Sequence, residues 1–305
     1  MGDYRATEEL KYSLWKIIDV YRDSSLGGVN GLRFNKMMAL LNHRLLDEKG
    51  LDIKLPRCWY LYGEATVPKQ LPDELRWEGL DKEERETLGR WSEERPEIRS
   101  SKNRKKIDSI IDSLYSLFPP DEDVKKAIKE DYNKYAPYEF QRLYKAFRYD
   151  TQIESMVDKD GSLRSEVFYS KEIQEAMKRF PYEDFPELKV VARKIELLLP
   201  SLFEEFPEKN EKGIEMAKDF WKIFCRFLRI KKNNYVDSER IRYWDEVAVE
   251  DLKKYREGLK KDIRDLKELE MDVTKDPMVE LFLSPESLGP GSEDLSESVD
   301  KMVYG

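Results

Sequence analysis

From Leu32 to Leu46 the apolar residues recur at three- and four-residue steps. Leu32, Phe34, Met37, Met38, Leu40, Leu41, Leu45 and Leu46 gather on one side of a helix of period 3.6, with Arg33, Asn35, Lys36, Asn42, His43 and Arg44 around the rest. That spacing cannot serve a strand, whose side chains alternate with period two. The stretch before it, Ser24 to Gly31, is rich in Gly, Ser and Asn and reads as a turn or loop. Gly50 follows Asp47, Glu48 and Lys49 and stops the helix, because glycine accepts the left-handed C-terminal position. Ile53 and Leu55 then alternate with Asp52 and Lys54, which predicts a short strand ending before Pro56. Trp59-Tyr60-Leu61-Tyr62-Gly63 predicts a second extended piece, with Trp59 and Leu61 on one face and Tyr60 and Tyr62 on the other. Upstream, Leu10, Leu14, Ile17, Ile18 and Tyr21 mark one face of a helix that Thr7 can cap.

The order helix, loop, helix, aromatic hairpin is also the outline of a winged-helix unit. The run Leu32-Arg33-Phe34-Asn35-Lys36-Met37-Met38-Ala39-Leu40-Leu41, followed by Gly50, Trp59-Tyr60-Leu61-Tyr62-Gly63 and Val67-Pro68, resembles the Panacea antitoxin domain. Phe34, Lys36, Met37 and Met38 stand where that family has its helix core, and Tyr62, Gly63, Val67 and Pro68 where it has Tyr-Gly and Val-Pro. Glu64 replaces a usual proline, and Ala65-Thr66 lengthen the spacing to Pro68. The match covers the first quarter of the chain. The resemblance implies a domain that binds and neutralises toxin proteins or acts as a proteolysis adaptor, and it brings no catalytic residues.

Beyond this block the pattern stays helical. Residues 73–106 are densely charged, with a short helix expected from Asp81 to Trp91 and a linker from Pro96 to Ser101, a natural boundary for an N-terminal domain of residues 1–95. Helices are expected over Lys102–Phe118, Val124–Tyr135, Pro137–Tyr149, Ser170–Phe180, Phe185–Leu199 and Gly213–Ile230, with prolines 181, 186, 200 and 207 as punctuation, and residues 102–236 form a helical domain. From Ser238 to Met271, Trp244, Val247, Leu252, Tyr255, Leu259, Ile263, Leu266 and Leu269 recur within a dense mix of charges, the pattern of a long exposed helical arm (238–271). Residues 272–305, rich in Ser, Gly, Pro and acids toward the end, read as a disordered tail. The fold class is mainly α, a multi-helix protein with a small β-hairpin after the second helix.

Site chemistry is sparse. Asp158-Lys159-Asp160-Gly161 has an EF-hand look, but that register puts Met156 at the first ligand position and Val167 at the twelfth, where a glutamate is needed, so it reads as a turn. His43 is the only histidine, on the polar side of its helix, and reads as solvated or partner-facing. Cys58 and Cys225 lie far apart, so two cysteines and one histidine do not compose a zinc site. Two thiols in a charged chain fit a reducing cytoplasm. No Walker loop, GxGxxG or GxSxG is present, so no catalytic residue, metal or cofactor is assigned. The chain has no apolar run long enough for a membrane span.

Its net charge of −8 speaks against a generic nucleic-acid binder while allowing a local basic face. Two basic clusters stand out: Arg99, Lys102, Arg104, Lys105, Lys106, and Arg226, Arg229, Lys231, Lys232 with Arg240 and Arg242 following. The reading that follows is a non-enzymatic, cytoplasmic protein-binding module, antitoxin-like or defence-associated, that occludes a protein partner. Trp59, Tyr60, Tyr62 and His43 are its candidate contacts, with Trp59 expected in the core. The alternative is a winged-helix DNA-binding regulator contacting nucleic acid through Arg33, Asn35, Lys36, Arg44, Arg104, Lys105 and Lys106. A second alternative is a nuclease-like enzyme whose carboxylates cannot be singled out among so many.

Overall fold

The structure is a computed structural model that describes residues 5–22, 31–67, 70–71, 95–120, 122–152, 166–205 and 210–267. These residues form nine α-helices, one short 3-10 turn and one three-stranded antiparallel sheet, the expected mainly α class with a small hairpin after the second helix. The expected helix over Asp81–Trp91, the turn at Asp158–Gly161 and the tail at 272–305 lie outside the described residues.

The chain divides into two compact units, residues 1–135 with 228–244, and residues 136–227 with 245–305. The first begins with α1 (Glu8–Arg22) and α2 (Gly31–Lys49). Thr7 caps α1 as its position predicts: the Leu10 amide donates to Thr7 Oγ1 at 3.0 Å, and the same hydroxyl donates to the Ile53 carbonyl. Gly50, at φ +58°, ends α2, and the Gly50 and Leu51 amides close its last turn on the carbonyls of Leu46 and Leu45. The expected strand at Ile53 and Leu55 does not form. Lys54 adopts a left-handed φ of 56° with its amide on Asp52 Oδ1, so the backbone turns where a strand would continue, although both apolar side chains are fully buried.

The hairpin does form, from β1 (Arg57–Tyr60) and β2 (Gly63–Thr66), joined at Leu61 and Tyr62 with Tyr60 opposite Gly63. Asn233–Asn234, β3, pairs with the outer edge of β1, giving the order β2-β1-β3.

Two further helices, α3 (Ser101–Leu117) and α4 (Lys125–Tyr135), complete the core of this unit. The boundary expected near residue 95 is therefore displaced: α3 packs against α1 and α2, and Ile107, Ile110, Ile111 and Leu114 share one core with Leu14, Ile17, Met37, Leu40 and Leu41. A lone α1–α2 pair would leave that apolar stripe in water, at about 1.5–3 kcal/mol for each large side chain. Helix α2 is the centre of the unit, in contact with α1, α3, α4 and β2. The buried set on it runs from Arg33 through Leu45 and includes Lys36 and Asn42.

The second unit holds α5 (Glu139–Gln152), α6 (Glu166–Lys178), a 3-10 turn at Pro186–Leu188, α7 (Lys189–Glu205), and most of α8 (Asn210–Lys231) and α9 (Ser238–Lys267). Its core is aromatic: Phe140, Phe180, Phe185, Phe220, Trp221 and Phe224 pack edge-to-face or tilted, and Tyr144 stacks on Trp221 at 5.5 Å. Pro200 lies inside α7 rather than ending it. Helix α9 is not an exposed arm. Ala248, Leu252, Leu259 and Ile263 are buried, and Arg226–Asp251 and Lys212–Asp262 ion pairs tie it to α8. Its density of surface charge hides a continuous apolar stripe.

Candidate functional site

Lys36 and His43 stand two turns apart on α2, hence on one face of it. Glu64 lies on β2 and Asp131 on α4, and the fold brings all four together within the first unit. Lys36 Nζ donates to Asp131 Oδ2 at 2.8 Å and to the Glu64 carbonyl at 2.6 Å. The Glu64 amide donates to the same Asp131 oxygen at 2.9 Å. The Glu64 carboxylate takes Arg57 on Oε1 and lies 2.7 Å from His43 Nε2 on Oε2. The His43 ring stacks flat on Tyr135 at 3.9 Å between centroids. Lys36 and Glu64 are 1% exposed and Asp131 is fully buried.

Gly63 makes this approach feasible. A Cβ there would come within 2.4 Å of Asp131 Oδ2 and 2.7 Å of Lys36 Nζ, and the residue has a φ of +98°. The Tyr-Gly step at 62–63 is therefore required twice over, by backbone angle and by space. Asn35 supports the arrangement, accepting from the Thr66 amide at 3.0 Å and the Thr66 hydroxyl at 2.6 Å, so that β2 is hung from α2 along its length.

The electrostatics follow from burial. Desolvation alone would raise the Glu64 carboxyl, but the hydrogen bond from His43 and the charge of Arg57 outweigh it and hold the group below its ordinary range. Asp131 goes the other way: burial raises it, neighbouring Glu64 adds to that, and Lys36 only partly compensates. Its Oδ1 atom is buried without a hydrogen-bond partner, since both donors converge on Oδ2.

His43, Glu64 and Asp131 each offer a ligand atom within 4.8 Å of the others, a nitrogen-and-oxygen set that a divalent ion could use. The donor set fits such an ion poorly. Two carboxylates already face two cations, Lys36 and Arg57, so the local charge is balanced. An ion bound through Asp131 would strand a 1% exposed ammonium, and leaving a buried charge unpaired costs about 3–5 kcal/mol. With carboxylates 0–1% exposed, the centre also offers no open face to a substrate. Its chemistry is that of a polar lock joining α2, β1, β2 and α4.

The expected contacts separate accordingly. Trp59 is core, 5% exposed and edge-on to Tyr132, as its phase predicts. Tyr60 is half-buried, with the Arg229 guanidinium 5.2 Å from its ring. Tyr62 is 49% exposed. His43, read as solvated or partner-facing, is instead held between Glu64 and Tyr135. The basic residues expected to enter a DNA groove from α2 are engaged inside: Arg33 is buried on the carbonyls of Phe118, Pro119 and Glu122, Lys36 is in the lock, Asn35 binds Thr66, and Arg44 reaches Ser113 and Glu130. A recognition helix needs free polar side chains, and these four residues of α2 are turned to partners within the fold. Arg104 pairs with Asp108, Lys105 is exposed, and Lys106 donates to the Lys49 carbonyl.

Sequence reasoning missed Glu64, Arg57 and Asp131. Asp131 carried a signal: it shares the buried stripe of α4 with Ala127, Ile128 and Tyr132, a phase where a carboxylate needs a partner. Nothing in the order of residues pointed to that partner being Lys36.

No described helix is long and apolar enough to cross a membrane. Compared with known proteins, the chain matches no family model, no curated protein and no solved structure.

Proposed function

We propose that this chain is a protein-binding module, antitoxin-like in action, that occludes a partner by presenting the hairpin turn at Leu61–Tyr62. The observation that carries the reading is the contrast across one residue step: Gly63 sits against the Lys36–Asp131 pair, while Tyr62 beside it is 49% exposed. Buried ion pairs contribute little net stability, so their use suits fixing one geometry. A turn whose backbone is fixed in this way has less backbone entropy left to lose on binding, which favours affinity. Tyrosine is also among the side chains that dominate binding hot spots. The resemblance of Lys36, Tyr62, Gly63 and Val67 to the Panacea pattern supports the same reading. The two free, buried thiols, Cys58 and Cys225, suit the reducing interior of a cell as its place of action.

The test uses the full chain carrying a photo-crosslinking side chain at position 62, expressed in its native host, and a second version carrying it at Leu117, which is equally exposed at 49%. One protein adduct formed at 62 and not at 117 is the expected result. Equal adducts at both positions, or none at 62, overturn the reading.

A further inference from the structure

We propose that the groove between the end of α2 and the first turns of α3 is a binding site for phosphate groups. The groove encloses about 470 Å³ and is lined by Lys49, Ser101, Lys102, Lys105, Lys106 and Ser109. Residues 102, 105, 106 and 109 follow the i, i+3, i+4, i+7 spacing, so on α3 they project to one side. Four lysines and two hydroxyls therefore face one small, open volume.

The charges of these lysines differ from those of the arginines beside them. The protein carries a net charge of −8, and the arginines next to these lysines are paired with acids. Arg99 pairs with Glu8 at 3.1 Å and Arg104 with Asp108 at 3.7 Å. Among the described residues, none of Lys49, Lys102, Lys105 and Lys106 forms an ion pair with a carboxylate. The same helix thus turns its compensated arginine away from the groove and its uncompensated lysines into it. Like charges held close repel unless an anion enters between them.

The position is also prepared for an anion. Lys106 Nζ is held at 2.7 Å on the Lys49 carbonyl, which fixes one ammonium in the groove. Ser100 caps α3 by accepting the Asn103 amide, and the Ser101 and Lys102 amides at the helix start have no intrahelical acceptor. They add partial positive charge at the same end. Ammonium point charges, serine hydroxyls and helix amides are the donor set that suits a phosphate, with its many acceptor oxygens. A nucleic-acid backbone and a free oligophosphate both present that group, and the groove is open enough for either.

The test measures binding by the full chain in 50 mM salt, using a labelled 20-nucleotide single strand, the corresponding duplex, and tripolyphosphate. Lys102→Gln with Lys105→Gln is compared with Lys253→Gln with Lys261→Gln, which removes the same charge from exposed positions of α9. The expected result is at least tenfold weaker binding in the first double variant. A less steep salt dependence should follow, its slope reduced by about 1.5, as the loss of two phosphate contacts predicts. The α9 control should remain within twofold of the parent. Lys102→Arg with Lys105→Arg should keep the affinity, which separates loss of charge from loss of fold. Binding of the oligonucleotides without tripolyphosphate identifies the backbone as the source, and the reverse identifies the free anion. Failure of all three probes to bind, or an equal loss in the α9 control, overturns the proposal.

Discussion

Lys36 Nζ lies 2.8 Å from Asp131 Oδ2, joining residues 95 positions apart at a depth where neither has more than 1% of its side chain in water. The pair grips the hairpin between them, because the ammonium also holds the Glu64 carbonyl and the carboxylate also holds the Glu64 amide. One helix, one strand and a second helix are thereby fixed by two side chains.

Removing either partner leaves the other charge buried and alone. Lys36→Met and Asp131→Leu should each lower unfolding stability by about 3–5 kcal/mol. The double change Lys36→Met with Asp131→Leu should cost clearly less than the sum of the single effects, because it leaves no orphaned charge. Urea denaturation of the four proteins gives the coupling directly, and simple additivity would contradict a shared lock.

The two positive-φ glycines of the hairpin region should respond differently to alanine. At Gly50, φ is +58° and nothing lies within 4 Å of an added Cβ, so Gly50→Ala should cost about 1–2 kcal/mol for the backbone alone. At Gly63 the methyl would collide with Asp131 and Lys36, so Gly63→Ala should cost at least twice as much. Thermal melts of the two variants side by side decide it, and equal losses would mean that the ion pair moves aside without penalty.

Stability and presentation should separate at the hairpin aromatics. Trp59→Ala empties a buried, edge-packed site and should cost about 3–5 kcal/mol. Tyr62→Ala should cost less than about 1 kcal/mol while abolishing co-purification of the partner with the full chain. A large loss of stability at Tyr62 would show that its ring supports the fold rather than serving contact.

The Cys58 thiol predicts an alkaline limit. Burial pushes it from its ordinary 9.0 up to about 12, with Arg229 opposing and Glu64 adding to the rise. Between those values the unfolded thiol loses its proton and the native thiol keeps it. The folded state therefore binds more protons, and stability falls as pH rises from about 9 toward 12. Below about 9 the contribution is complete. Cys58→Ala should flatten the pH dependence in that window by up to about 1.4 kcal/mol per pH unit, measured by denaturation at pH 8, 9.5 and 11. An unchanged slope would place the titration elsewhere.

Periodicity exposed α2 and its neighbours because Phe34, Met37, Leu41 and Leu45 repeat with the helix, and alternation placed Trp59 inside. It failed at Lys54, where a left-handed residue cut a strand that Ile53 and Leu55 had suggested. It failed again on α9, whose charges concealed a buried stripe. The polar lock was the least legible part, since pairing between α2, β2 and α4 is a property of packing. A single aspartate among 63 acidic residues carries no mark of which lysine it will meet.

The outer edge of β1 is covered by β3, and the Trp59 amide finds its acceptor in the Lys232 carbonyl. Trp244 adds its ring beside Cys58 and Val67. During synthesis the ribosome delivers the hairpin long before these residues, so the outer edge of β1 has no strand to pair with until they emerge. An exposed edge is a template for pairing with another chain. A fragment ending at residue 135 would keep that edge for good and should self-associate, whereas in the 305-residue chain the late return of residues 228–244 acts as a built-in stopper against aggregation.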